Sequence, residues 1–427
     1  TASAVRSHGA PCGIRYVGLD IDRDGGVELM RAQASFGDTD VGGLHRLALS
    51  DADADARYWL VARLEAADRS VRVDAFGNVF GRREGADPDA APVLLGSHLD
   101  SQPYGGIYDG ALGVVAALEV CLTLNDDGVR TRRPIEVVNW TNEEGSRFQP
   151  TMQGSGVWAG EFDRDAQYER TDDDGVRVVD ELDRIGYRGD HPAEPREPYD
   201  SYLELHIEQG PALEAAGADV GVVTGIVGLS WGEVTLSGRS DHTGTTPMHL
   251  RADALVAAAD VTTAIRRLPG AFGERTVATV GSLDVSPNSV NIVPEEVQFT
   301  WDVRAPADAT VREATDRIER EVAAAATREG VAHEVEQFLT ASSVAFPDRT
   351  VSTVATAADR LGYEALDLFS GAAHDASHVA GVCDAGMIFA VSDDGRSHTE
   401  DEHTSWDDCY SAANVLANAA LDLAEPA

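Results

Sequence analysis

No lysine occurs anywhere in the 427 residues, so all 34 basic side chains are arginines, set against 73 aspartates and glutamates for a formal charge of −39. A surface so poor in positive charge repels nucleic acid and anionic membranes, and both are excluded as partners. The carboxylates are spread along the chain, as at Asp51 to Asp55, Asp172 to Asp174 and Asp393 to Asp394, rather than gathered in a tail. That is the pattern of a protein from a salt-adapted organism, because high salt screens the self-repulsion that would otherwise oppose folding. A hydrophobic content of 43% marks a globular chain, not an acidic cation store.

Cysteine is scarce as well. Cys12, Cys121, Cys383 and Cys409 stand far apart with no C-x-x-C pair, which excludes a disulfide framework and a thiolate zinc site. Cys121 falls inside an apolar helical run and reads as a core residue. Every apolar run is shorter than the roughly 18 residues a membrane span needs. The first residues lack the apolar core of a signal peptide, so a cytoplasmic location is the expectation.

What is present suggests an enzyme of more than one domain. The length calls for two domains, with room for a third. Residues 1–27, rich in Gly and Asp, read as a poorly anchored arm. The organising stretch is 96–113, GSHLDSQPYGGIYDGALG. An apolar strand ends at Val93, Leu94 and Leu95, and a buried helix follows from Leu112, so His98, Asp100 and Asp109 lie in a loop at the carboxyl edge of a sheet. Gly105 and Gly106 are expected to turn the backbone between them. The same architecture recurs: Pro134 to Trp140 forms a buried strand followed by Glu143 and Glu144, an alternating strand carries His206, and AGMIFAVS precedes His398. From about Val220 the pattern becomes antiparallel strands and two amphipathic helices, an α+β unit inserted in the chain and carrying His242.

Four strand-end positions bearing His or carboxylate, with no Cys among them, suit Zn²⁺, or Mn²⁺, Co²⁺ or Ni²⁺. A lone histidine is most simply a satisfied surface or core residue, and that reading is kept for His8, His45, His191, His249 and His333.

These motifs resemble a known family. GSHLDSQPYGGIYDGALGV, NWTNEEGSRF, HIEQGP, SDHTGTTPM and RSHTEDEHT are similar, in the same order, to those of the di-zinc amidohydrolases of the aminoacylase/carboxypeptidase superfamily. The nearest branch is that of the N-carbamoyl-L-amino-acid hydrolases, β-ureidopropionases and allantoate amidohydrolases. The resemblance implies a catalytic α/β domain with a mixed sheet, formed by 1–218 and 334–427. A smaller α+β lid at 219–333, which would also make a homodimer, interrupts it. It implies two divalent ions, with His98, Asp109 and His206 holding one and Asp109 bridging to a second on Glu144 and His398. It implies Glu143 as general base, Asp100 as orienter of the His98 ring, and His242 as donor to the developing oxyanion. Gln209, Asn291, Arg304 and His374 would meet the substrate, an N-carbamoyl (ureido) or amide acid; Ala373 departs from the family pattern, which has Gly there. Allantoate amidohydrolase is the neighbouring alternative. A non-catalytic dimeric binding protein of the same fold is the alternative of another class.

Overall fold

The computed structural model describes residues 18–273 and 275–427; His8, Cys12 and the arm up to residue 17 lie outside the described residues. The remainder of the expected arm is tied down rather than loose. Leu19 N and Ile21 N donate to the Oδ1 atoms of Asn418 and Asn414 at 2.9 and 3.0 Å, and Asp22 caps the helix Arg23–Ala34.

The first six strands are β1 (Ser70–Val73), β2 (Val79–Arg83), β3 (Val93–His98), β4 (Ile135–Trp140), β5 (Ser201–Ile207) and β6 (Val220–Ile226). Four longer ones follow: β7 (Gly228–Ser237), β8 (Val277–Ser286), β9 (Glu296–Ala305) and β10 (Ala332–Ala341). The last are β11 (Val344–Ala345), β12 (Ala365–Ser370) and β13 (Asp384–Ala390). A nine-stranded mixed sheet runs β1-β2-β4-β3-β5-β13-β6-β11, with β12 also on β6, and a separate antiparallel sheet runs β10-β7-β9-β8. The fold is thus a mixed α/β unit interrupted by a smaller α+β unit.

Strands β3, β4 and β5 are buried at every residue; β3 and β4 accordingly read as apolar runs, whereas β5 alternates polar and apolar side chains although both of its faces are covered. The helix Ala111–Asp126 is apolar almost all round and joins Leu95, Leu203, Leu205 and Leu416 in the main core, with Cys121 fully buried. In the small unit β9 alternates between exposed and buried, since only one face is covered. There Val234, Phe299 and Trp301 pack against Val261 and Ile265 of helix Ala254–Arg267 and Ile318 and Val322 of helix Asp308–Glu329.

Sheet membership changes at Val227 and again between Ala341 and Val344. Both points lie later in the chain than the insert edges expected at 219 and 333. The hydrophobic pattern continues unbroken from β6 into β7, so the sequence carries no mark of the crossing; β6 pairs with β12 and β13 in the large sheet, and β10 pairs with β7 in the small one.

One buried ion pair fixes the loop that leaves β4. Arg57 and Asp53 are fully buried and meet at 2.8 Å. The same guanidinium donates to Gly77 O at 2.7 Å and to Thr141 Oγ1 at 3.3 Å. Such a pair contributes little net stability, yet its donors hold the first residue past β4 in place.

Candidate metal centre

Strands β4, β3, β5 and β13 run parallel, so their carboxyl ends share one edge. His98 closes β3 and His206 lies next to the end of β5, while Glu143 and Glu144 follow β4 and His398 follows β13. Asp109 immediately precedes Gly110, the residue capping the helix Ala111–Asp126. A β-carbon at Gly110 would fall 2.3 Å from the His98 ring, and the residue adopts φ 63°; only glycine lets this backbone run against the imidazole. The turn expected of Gly105 and Gly106 is made otherwise. Tyr104 takes the left-handed conformation, and Gly106 is needed because a β-carbon there would lie 2.2 Å from Glu402 Oε1.

The site is two triads sharing one carboxylate. Ligand-type atoms of His98, Asp109 and His206 lie within 4.8 Å of one another, as do those of Asp109, Glu144 and His398. Asp109 Oδ1 is 3.2 Å from His206 Nε2 and 3.5 Å from His98 Nε2, and its Oδ2 is 3.5 Å from His398 Nε2. Glu144 Oε2 lies 3.7 Å from that last nitrogen. Glu143 belongs to neither triad but sits beside the first, its Oε2 3.5 Å from His98 Nε2.

The donor set fits divalent cations. His98 Nδ1 faces Asp100 O and His206 Nδ1 faces Ile207 O, both at 2.9 Å. A carbonyl can only accept, so each Nδ1 carries hydrogen and each Nε2 turns a lone pair inward. His98 Nε2 is buried with no hydrogen-bond partner, the orphan a metal ion would satisfy. The carboxylates need positive charge too. Burial pushes Glu143 well above the ordinary range, helped by Asp375 and Glu144. Burial and then Asp109 push Glu144 up to about 7. Burial would also raise Asp109, but His206, His398 and His98 hold it well below the usual value, and His398 is pushed up to about 9, chiefly by Asp109.

Asp100 acts through different atoms from those expected. Its backbone oxygen makes the hydrogen bond to His98 Nδ1, while its carboxylate stands off at 3.9 Å from that nitrogen. The carboxylate accepts from the backbone N–H groups of Glu143 and Glu144, both at 3.2 Å, and so fixes the loop that presents them.

Gln209, Arg304 and His398 line a cleft of about 820 Å³ between the two units. Gln209 Nε2 donates to Asp109 Oδ2 at 2.6 Å, and its buried Oε1 has no partner. Arg304 donates to both oxygens of Asp302 and to Gly371 O at 2.8 Å. His374 is buried behind the site rather than in the cleft. Its ring meets that of His206 edge-on at 4.5 Å, its Nε2 lies 2.8 Å from Ser370 Oγ, and burial followed by His206 holds its pKa well below the ordinary value. Its contacts therefore support a ligand. His242 and Asn291 sit together on the small unit, where Thr243 N donates to Asn291 O and His242 bridges Ile292. Both are exposed and neither lines the cleft.

Three residues of the site carried no assignment from sequence. Glu402 accepts from the backbone N–H groups of Tyr108 and Asp109 and from Ser397 Oγ; Ser397 Oγ also reaches Asp109 Oδ2 at 2.9 Å. Gln102 donates its backbone N–H and its Nε2 to Glu144 at 3.0 and 2.7 Å. Glu402 stands among other acidic residues and Gln102 outside any metal-ligand spacing, so the only signal was their membership of the motifs RSHTEDEHT and GSHLDSQPYGGIYDGALGV.

Known proteins resemble this chain over most of its length. The profile of Peptidase family M20/M25/M40 matches residues 94–422. An N-carbamoyl-L-amino-acid amidohydrolase of Rhizobium meliloti is 44% identical over 92% of this chain and 94% of its own. Another of that name from Paenarthrobacter aurescens is 43% identical over 88% and 92%. Among solved structures, an amidase of the hydantoinase/carbamoylase family from Burkholderia multivorans superposes with a TM-score of 0.93 at 44% identity, over 96% of this chain and 100% of that one. With its fold and three-quarters of its length matched, the chain belongs to the M20/M25/M40 peptidase family.

Proposed function

We propose that the protein is a metal-dependent amidohydrolase that cleaves the ureido C–N bond of N-carbamoyl amino acids, β-ureidopropionate included. The observation that carries this reading is the pair of triads sharing Asp109, with the carboxylate of Glu143 beside them and bound to neither. The names of the relatives at 43 and 44% identity support the ureido class.

His98, Asp109 and His206 would hold one divalent ion and Asp109, Glu144 and His398 the other, Zn²⁺ by the mixed imidazole and carboxylate donors. Bound there, the ions would supply Lewis-acid polarisation and a water of lowered pKa. The chain's own residues do the rest. Glu143, held by the Asp100 clamp on its backbone, takes a proton from the attacking water and returns it to the leaving nitrogen. Gln209 steadies the shared Asp109. Arg304, at the cleft wall, exchanges its fork on Asp302 for the substrate carboxylate, with Gln209 beside it and Asn291 joining that contact only once the small unit covers the cleft. His242 donates to the developing oxyanion once the small unit, of the same chain or of a second one, covers the cleft.

We also propose a homodimer formed through the small unit. The support is an open β8 edge in a four-stranded sheet and, beside it, exposed Met248, Leu250, Leu255 and Val256.

Ammonia release assayed in parallel on N-carbamoyl amino acids, β-ureidopropionate and allantoate, at high salt, is expected to be fastest on the first two; allantoate alone as substrate would move the assignment to the neighbouring activity. Glu143→Gln should lower kcat by about a thousandfold or more while bound metal stays unchanged; retained turnover would remove Glu143 as base. Arg304→Ala should raise KM for carboxylate substrates about tenfold with kcat nearly constant, and an unchanged KM would reassign that residue. Sedimentation should give twice the chain mass, a monomer being the contrary result. Mixing Glu143→Gln with His242→Ala chains then identifies the donor: recovered activity puts His242 on the second chain, and none keeps it on the same one.

A further inference from the structure

A second polar groove lies at the far edge of the large sheet, away from the cleft. It measures about 570 Å³ and is lined by Arg69, Arg82, Arg83, Arg130, Asp68 and Glu84 among others. It forms where β1 begins, β2 ends and the chain leaves the helix Ala111–Asp126. Arginine gathered on one groove is conspicuous in a chain with 73 carboxylates and 34 basic residues.

The four guanidinium groups are not alike. Arg82 is spent within the protein, on Glu84, Glu136 and Glu197. Arg83, 8% exposed, donates to Asn125 Oδ1, Val129 O and Thr131 Oγ1, which leaves two of its five N–H groups free. Arg69, also 8% exposed, has no side-chain hydrogen bond and no ion pair among the described residues, and its Nε is sealed from solvent without a partner. Arg130, exposed at the rim, likewise forms no ion pair among them. Glu84 is taken by Arg82, and Asp68, exposed, makes no ion pair with Arg69. Arg83 is pushed below the ordinary guanidinium value by burial, and the neighbouring charges of Arg69 and Arg130 add to that.

A buried guanidinium with no acceptor is costly, and the cost rises when like charges stand beside it. An anion in the groove would meet the terminal NH₂ groups of Arg69, which are unpartnered among the described residues but not sealed, and would offset the like-charge repulsion. Several guanidinium groups lining one groove suit the several oxygens of a tetrahedral oxyanion better than a single carboxylate. We propose that Arg69, Arg83 and Arg130 form a binding site for a phosphate group, free or as a monoester. The site is independent of the metal centre and of the activity proposed for it.

The test is calorimetric titration of the metal-loaded protein with inorganic phosphate and with AMP, at constant ionic strength set by chloride. Arg69→Gln and Arg130→Gln should each weaken binding about tenfold or more, while Arg304→Ala, in the cleft, should leave it unchanged. Tighter binding of AMP would assign the site to an esterified phosphate, and tighter binding of inorganic phosphate to the free ion. Arg130 is exposed, so Arg130→Gln keeps the fold and should leave turnover unaltered even if Arg69→Gln destabilises the protein. Absence of binding by both probes, equal affinity in the wild type and Arg130→Gln, or loss of binding only in Arg304→Ala would overturn the proposal.

Discussion

A single carboxylate, Asp109, is the constraint on which the site depends. Its two oxygens face three imidazoles from three separate strand ends, and that convergence defines both triads at once. Asp109 can stand there because Gly110 lets the backbone pass against His98, and because Glu402 holds the N–H groups of Tyr108 and Asp109. Moving any one of these would shift both halves of the site together. A shared carboxylate therefore couples the two halves of the site in geometry as well as in charge.

Concentrating carboxylates in a buried place is electrostatically expensive. The protein meets part of that expense with donors instead of cations. Backbone N–H groups satisfy Asp100 and Glu402, Gln102 and Gln209 satisfy Glu144 and Asp109, and Ser397 links Asp109 to Glu402. Two buried guanidinium groups near the site are spent elsewhere: Arg57 holds Thr141 and Gly77 and is paired with Asp53, and Arg46 bonds Leu99 O and Gln33. The remaining negative charge is what the fit to divalent cations rests on.

The strand-end positions were legible from their strands: His98, Glu143, Glu144 and His398 go with apolar runs, and His206 stands near the end of an alternating one. The alternation of the inserted strands was equally readable. Atomic roles were not. Whether Asp100 uses its carbonyl or its carboxylate depends on where the Glu143 loop crosses β3, a contact between residues 43 apart. His374 looked like a lining residue because it sits in a loop, and only the packing of that loop against His206 turns it inward. Gly105 and Gly106 looked alike, yet the positive φ falls on Tyr104. The crossings between sheets were hidden because β6 passes into β7 with one intervening residue and no turn signal.

That same pair of crossings has a mechanical consequence. Leu229, one residue past the start of β7, pairs with both Arg304 and Ala341, and Val344 pairs with Ile226 on the large sheet. The small unit is therefore joined through a narrow ribbon, and β7 extends from it as a lever ten residues long, about 33 Å at the usual rise of a strand. Arg304 sits at the fulcrum and His242 beyond the tip. A rotation of about 10° at the ribbon would carry the end of such a lever roughly 6 Å while leaving Arg304 almost where it stands. One unit thus presents both a fixed wall to the cleft and an arm with reach.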